Sequence, residues 1–286
     1  MDLDLMKDHG LVSSFRRDAR IIFLELDELL FTMRMNAENE DKEELIHDIR
    51  VNFRRLISLL LFHEPLLRKK KYRELIADLN LMLRSFASER TDHVFHRSME
   101  KYLSSSGKDQ ILEDMVLRGL LLKKQPDKHH VDPMQFRVTY EGTLKSLLGY
   151  GRDIFRTGAM NQKEDTQAFY SKRYQELMKG MKKLEENLDY DDKKSIHRLR
   201  VAAKNIYYTL KAKEEILGEL ASRRAAYLKE IHSIGGKIHD ADVNLRILST
   251  FTVEDHERTV LDGFADYLRE ERSQKIGALK DWIQNE

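Results

Sequence analysis

The segment "IHDIRVNFRRLISLL" starting at Ile46 returns as "IHRLRVAAKNIYYTL" starting at Ile196, 196 − 46 = 150 residues later. A chain that writes one amphipathic pattern twice must find two equivalent burial environments for it. At about 100° per residue, Ile46, Ile49, Phe53, Leu56 and Leu60 share one side of a helix. Their counterparts are Ile196, Leu199, Ala203, Ile206 and Leu210. Spacings of 3, 4, 3 and 4 make a bundle-core stripe. Each large member is worth roughly 1.5–3 kcal/mol when buried. The apolar part of the repeat is therefore core.

The rest of the chain predicts an all-α fold. Only 3 Pro and 13 Gly occur in 286 residues, 35% of which are charged and 41% hydrophobic, so little is present to break helices. Helical periodicity predicts segments at about 14–35, 43–63, 70–86, 90–105, 108–123, 141–156, 163–188, 193–217, 221–234, 240–251 and 256–284. Breakers separate them: "HEP" at 63–65, "SSSG" at 104–107, "KKQPDKHHVDP" at 123–133, and Gly235-Gly236. Asn161 and Glu164 resemble a capping box. Met134, Phe136, Val138 and Tyr140 alternate with polar residues as in a strand; lacking a pairing partner, the stretch is read as an extended connector or helix entry. The boundary falls in "GYGRDIFRTGAMNQ" at 149–162. An internal duplication is thus expected, with helical-bundle repeats at 1–155 and 156–286, their helices antiparallel because the connections are short.

A second stripe is polar. His47, Arg50, Arg54 and Ser58 lie within about 80° of one another, roughly 125° from the core centre; His197, Arg200, Lys204 and Tyr208 take the same positions in the second copy. On most helices such a face is merely solvated. Here no acid sits at i+3 or i+4 within either segment to neutralise the cations. Crowded like charges are easiest to explain by an anion that lies there. The net charge of +1 hides this segregation: Lys193 to Lys213 holds seven basic residues and no acid, while acids gather in "NAENEDKEE" at 36–44.

The H-x-x-R-V-x-x-[RK] pattern near the start of a helix, once per half, resembles the conserved histidine α-helical domain (CHAD) family. "GKIHDADVNLRIL" at 236–248 is similar to that family's G-x-x-R-D-x-D-V helix, matching at Gly236, Asp240, Asp242 and Val243, with His239 where Arg is usual. Asn205 and Tyr207 also stand where the family favours basic residues, and "ERTDHV" at 89–94 only weakly echoes the second motif. The resemblance implies two pseudo-symmetric bundles, commonly of about four helices each, meeting around a basic cavity or groove that binds inorganic polyphosphate. No E-x-E-x-K strand of the triphosphate tunnel enzymes precedes them, which suggests a stand-alone module.

A polyanion without bases must be held by Lys, Arg and protonated His. The candidate binding residues are His47, Arg50, Arg54, Arg55, His197, Arg200 and Lys204, with Arg68, Lys69, Lys70, Lys71, Arg73, Arg198, Lys211 and Lys213 extending the track. No catalytic residue, metal or cofactor is expected. The partner expected is polyphosphate, including polyphosphate granules, rather than a membrane or nucleic acid. The chain has no cysteine, so disulfides and thiolate chemistry are excluded. "MDLDLMKDHG" is acidic where a signal peptide is basic, so a cytoplasmic protein is expected.

Two rival readings remain. His47-Asp48 and His239-Asp240, with His197 and Asp266, supply the dipeptides of an HD-type metal-dependent phosphohydrolase, but Arg50 and Arg200 beside the histidines oppose a cation. "DKHH" at 127–130 reads as an exposed loop. "RKKKYR" at 68–73 could serve a general nucleic-acid or protein interaction module, though near-neutral charge weakens that reading.

Overall fold

A computed structural model of the chain describes residues 10–35, 42–106, 114–119, 132–149, 154–156 and 166–285. These are almost entirely helical: α1 Leu11–Met35, α2 Lys42–Phe62, α3 Lys69–Arg84, α4 Ala87–Ser106, α5 Pro133–Leu148, α6 Thr166–Glu186, α7 Lys193–Ala212, α8 Glu214–Leu217, α9 Glu219–Leu248 and α10 Asp255–Gln284. Residues 114–119 are helical too. The "HEP" breaker becomes a short 3-10 turn, Glu64–Leu66. The chain forms two compact units from interleaved stretches. One holds Met1–Phe86, His129–Lys182 and Lys204–Leu228; the other holds Ala87–Lys128, Lys183–Ala203 and Lys229–Glu286.

In the first unit α1, α2, α3 and α5 pack in a closed ring, each against its two neighbours. The α2 stripe supplies the centre: Ile46 is 3% exposed, and Ile49, Phe53, Leu56 and Leu60 are fully buried. The stripe of α7 is buried as well at all five positions, from Ile196 to Leu210. The second unit has its own core, in which Phe95, Met99 and Tyr102 of α4 meet Ile247 and Leu248 of α9 and Phe264 and Leu268 of α10.

Three sequence expectations need correction. The alternating stretch at 134–140, read as an extended connector or helix entry, forms the first turns of a helix, so the connector alternative falls. Asp132 caps α5 by accepting from the Gln135 N–H at 3.0 Å, and Pro133 takes the first turn, where its missing N–H costs nothing. Phe136 and Tyr140 then face inward one turn apart, leaving Met134 and Val138 exposed. The helix expected at 141–156 accordingly runs eight residues earlier. Residues 154–156 are instead extended and bridge to the chain beside α3: the Arg68 N–H donates to Ile154 O at 2.8 Å and the Arg156 N–H to Leu66 O at 2.9 Å.

The third correction concerns Gly235-Gly236, which does not break α9. Two interior glycines cost about 1 kcal/mol each relative to alanine. Against that, Ile231, Ile234, Ile238 and Ala241 continue one buried stripe straight through them. The first glycine has a packing role: a Cβ at Gly235 would sit 3.1 Å from Cβ of Arg200 and 3.3 Å from its Cγ. Its bare backbone lets α9 lie against the stem of Arg200. The Asn161–Glu164 cap, the "DKHH" loop, the acidic stretch 36–41 and most of 149–162 lie outside the described residues.

One buried group makes the first unit acid-sensitive. His63 is fully buried and ringed by Phe15, Phe62, Phe169 and Tyr170 at centroid distances of 5.2, 5.3, 6.0 and 6.0 Å. Its Nδ1–H donates to Leu59 O at 2.9 Å. Burial, then the charges of Lys213 and Arg173, lower its pKa from 6.5 to about 3. The unfolded chain therefore binds the extra proton first, so stability is complete above about pH 6.5 and declines as pH falls towards 3, at about 1.4 kcal/mol per pH unit. In thermal melts between pH 6 and 4, His63→Asn should show a slope shallower by about one proton than the parent. An unchanged slope would assign the acid lability to carboxylates.

Candidate functional site

The second unit contains an open basin of about 760 Å³ between α7 and α9. Its α7 wall starts from a local cap. The Asp192 carboxylate accepts from the N–H groups of Lys194 and Ser195 at 2.9 and 3.1 Å, satisfying otherwise orphaned donors and opposing the positive end of the helix. The helix therefore starts at Lys193, and His197 and Arg198 project from its second turn, where both are exposed. Lys193 and Lys194 line the basin with them; from α9 come His239, Asp242 and Arg246.

The electrostatics are one-sided. Among the described lining residues Asp242 is the only acid, and it already holds Lys193 at 2.7 Å and Arg272 of α10 at 2.9 Å. Arg198 lies 3.7 Å from Asp192 in a solvent-exposed pair, an interaction easily exchanged for another. The rings of His197 and His239 are 5.2 Å apart, tilted by 45°. Burial, followed by Arg200 and His197, lowers the His239 pKa from 6.5 to about 4, with Asp242 opposing and Arg246 adding to the depression. Such a field attracts anions and repels cations. Among the described residues no group of three or more His, Asp or Glu comes together as metal ligands would.

The first unit uses its stripe differently. His47 is exposed and Arg50 and Arg54 are half-buried, as His197, Arg200 and Lys204 are in α7. Nη1 of Arg50 donates to Phe86 O at 2.9 Å and Leu83 O at 3.3 Å, closing the C-terminal end of α3 with a cation where the helix dipole favours one. Arg55 is tied to Glu25 of α1 and donates to Asn52 Oδ1 at 2.7 Å. Arg68 keeps its Nε on Phe155 O at 2.9 Å. Lys69, Lys70 and Arg73 are exposed, while Lys71 pairs with Glu74 at 3.0 Å.

Lys211 is exposed beside Glu214 at 2.7 Å. Lys213 turns inward: its side chain is 4% exposed and ion-paired with Asp18, and its ammonium lies 5.0 Å from the Tyr170 ring centroid. That removes Lys213 from any solvent-facing track. Lys204, Lys211 and Lys213 belong to the first unit, whereas His197, Arg198 and Arg200 belong to the second.

Sequence reasoning passed over Arg246 and gave His239 no binding role. The signal was present: Arg246 follows His239 by seven residues, two helical turns along the same face.

The sequence model of one family, the CHAD domain, matches residues 25–249. Among solved structures, PptA from Streptomyces chartreusis superposes with a TM-score of 0.67 at 14% identity, covering 96% of this chain and 99% of that one. The CHAD domain from the plant Ricinus communis superposes with a TM-score of 0.67 at 17% identity, covering 96% and 92%. No curated protein matches. At these identities the structural likeness is one of fold.

Proposed function

The chain belongs to the CHAD domain family, and we propose that it binds inorganic polyphosphate without turning it over. The observation that carries this reading is the α7–α9 basin, where Lys194, Arg198 and Arg246 gather around two close imidazoles and the sole lining acid among described residues is already paired twice. Polyphosphate offers about one negative charge per phosphate and no bases, so charge-assisted hydrogen bonds from such groups suffice to hold it. His47, Arg50, Arg54 and Lys204, with Lys69, Lys70 and Arg73, would supply the first unit's share of the binding groups. A flexible repeating polyanion suits multiple equivalent binding points, since any segment can engage any of them. No helix among the described residues is long and apolar enough to cross a membrane, and we place the protein in the cytoplasm, with polyphosphate granules as a partner.

The test is salt. Titration with long-chain polyphosphate should give a log affinity that falls linearly with log salt, by about 0.7 per phosphate neutralised. A salt-independent affinity would remove the basic groups from the account. Binding that persists in excess RNA separates this reading from a general nucleic-acid module, and metal-dependent release of phosphate would favour the phosphohydrolase.

A further inference from the structure

We infer that polyanion binding in the α7–α9 basin is coupled to uptake of a proton by the His197–His239 pair, so that the site tightens as pH falls. This rests on the polyphosphate reading and adds its regulation. The geometry is a pair of imidazoles 5.2 Å apart in a basin whose charged lining is mostly cationic. From α7 the cations are Lys193, Lys194 and Arg198 in the basin wall and Arg200 beside the rings; from α9, Arg246. The counter-charge is Asp242, and Arg272 of α10 and Lys193 already share it. Two imidazoliums at this separation would repel each other and every neighbouring cation.

In the unliganded protein burial, and after it the charges of Arg200 and His197, hold His239 neutral, its pKa lowered to about 4. A polyphosphate segment laid across the basin reverses the sign of the local field. The share of the penalty that comes from the neighbouring cations is then offset, and a protonated His239 becomes an additional donor to phosphate oxygen. By linkage, a group whose pKa rises on binding takes up a proton at any pH between its free and bound values. His239 thus contributes charge when the ligand is present, and spares the empty site its self-repulsion.

The experiment is calorimetric titration with long-chain sodium polyphosphate at fixed ionic strength from about pH 8 to about pH 5.5, with the folded fraction checked by circular dichroism at each pH. Each point is run in two buffers of different ionisation enthalpy. Affinity should rise towards acid by up to about tenfold per pH unit for each proton taken up, and the buffer difference should report net uptake. His239→Arg should bind more tightly than the parent near pH 8 and show a pH slope shallower by about one proton; His239→Gln should share the shallower slope without the gain. Binding whose pH slope and proton uptake are the same in all three proteins overturns the coupling and leaves polyphosphate binding standing. No binding at any pH, in His239→Arg as well, overturns the polyphosphate reading and the coupling with it.

Discussion

Lys213→Ala should destabilise the protein by about 3 kcal/mol, the low end of the cost of breaking a buried ion pair. The side chain is 4% exposed, and its partner Asp18, on α1, lies 195 residues away in sequence. Removing the ammonium leaves a carboxylate that is 23% exposed and keeps only the exposed Arg17 at 3.8 Å, which keeps the penalty below the extreme. It also removes the cation from the face of Tyr170. Urea unfolding measures the loss, and a double-mutant cycle isolates its cause: Asp18→Asn combined with Lys213→Met should recover most of the stability, because no unpaired charge is left behind. Lys211→Ala, two residues away but exposed, should change stability little. If Lys213→Ala unfolds at the parental urea concentration but binds polyphosphate poorly, Lys213 belongs to the binding track and its inward placement is wrong.

Lys213 shows why part of this protein was legible in its sequence and part was not. The core stripes of α2 and α7 depend only on local periodicity, and all ten positions are buried. The polar stripes follow register at their first three positions, with histidine outermost and the next two basic residues half-buried in both copies, whereas Ser58 at the fourth position of α2 is buried. Whether a cation is available to a ligand depends on acids brought in by tertiary packing. Glu25 and Asp18 on α1 claim Arg55 and Lys213 from across the bundle, and no search for acids at i+3 or i+4 could find them.

Backbone punctuation failed for a related reason. Gly235-Gly236 looks like a stop in isolation, yet the buried stripe from Ile231 to Ala241 holds the helix together and uses the gap to seat Arg200. The strand-like alternation before Tyr140 misled because its hydrophobic residues fit two periods at once. The neighbouring Asp132-Pro133, an N-cap followed by a first-turn proline, was the better signal.

The largest expected loss of binding comes from reversing charge where the fold asks least of it. Lys194, Arg198 and Arg246 are all exposed and line the basin. Each is worth about 1.5–3 kcal/mol if it donates a charged hydrogen bond. Changing all three to Glu should weaken polyphosphate binding by on the order of a thousandfold or more, and lower the salt slope by about 0.7 for each phosphate no longer neutralised. The melting temperature should move little. Arg50→Ala makes the necessary contrast: it shares the register of Arg200, but its bonds to Leu83 and Phe86 cap α3, so it should lose stability as well as charge. Arg50 cannot therefore serve as a clean probe of binding. The matching reversal in the first unit is His47→Glu with Arg54→Glu. If this pair abolishes binding while the basin triple variant binds like the parent, the ligand lies along α2 and the basin between α7 and α9 is not its site.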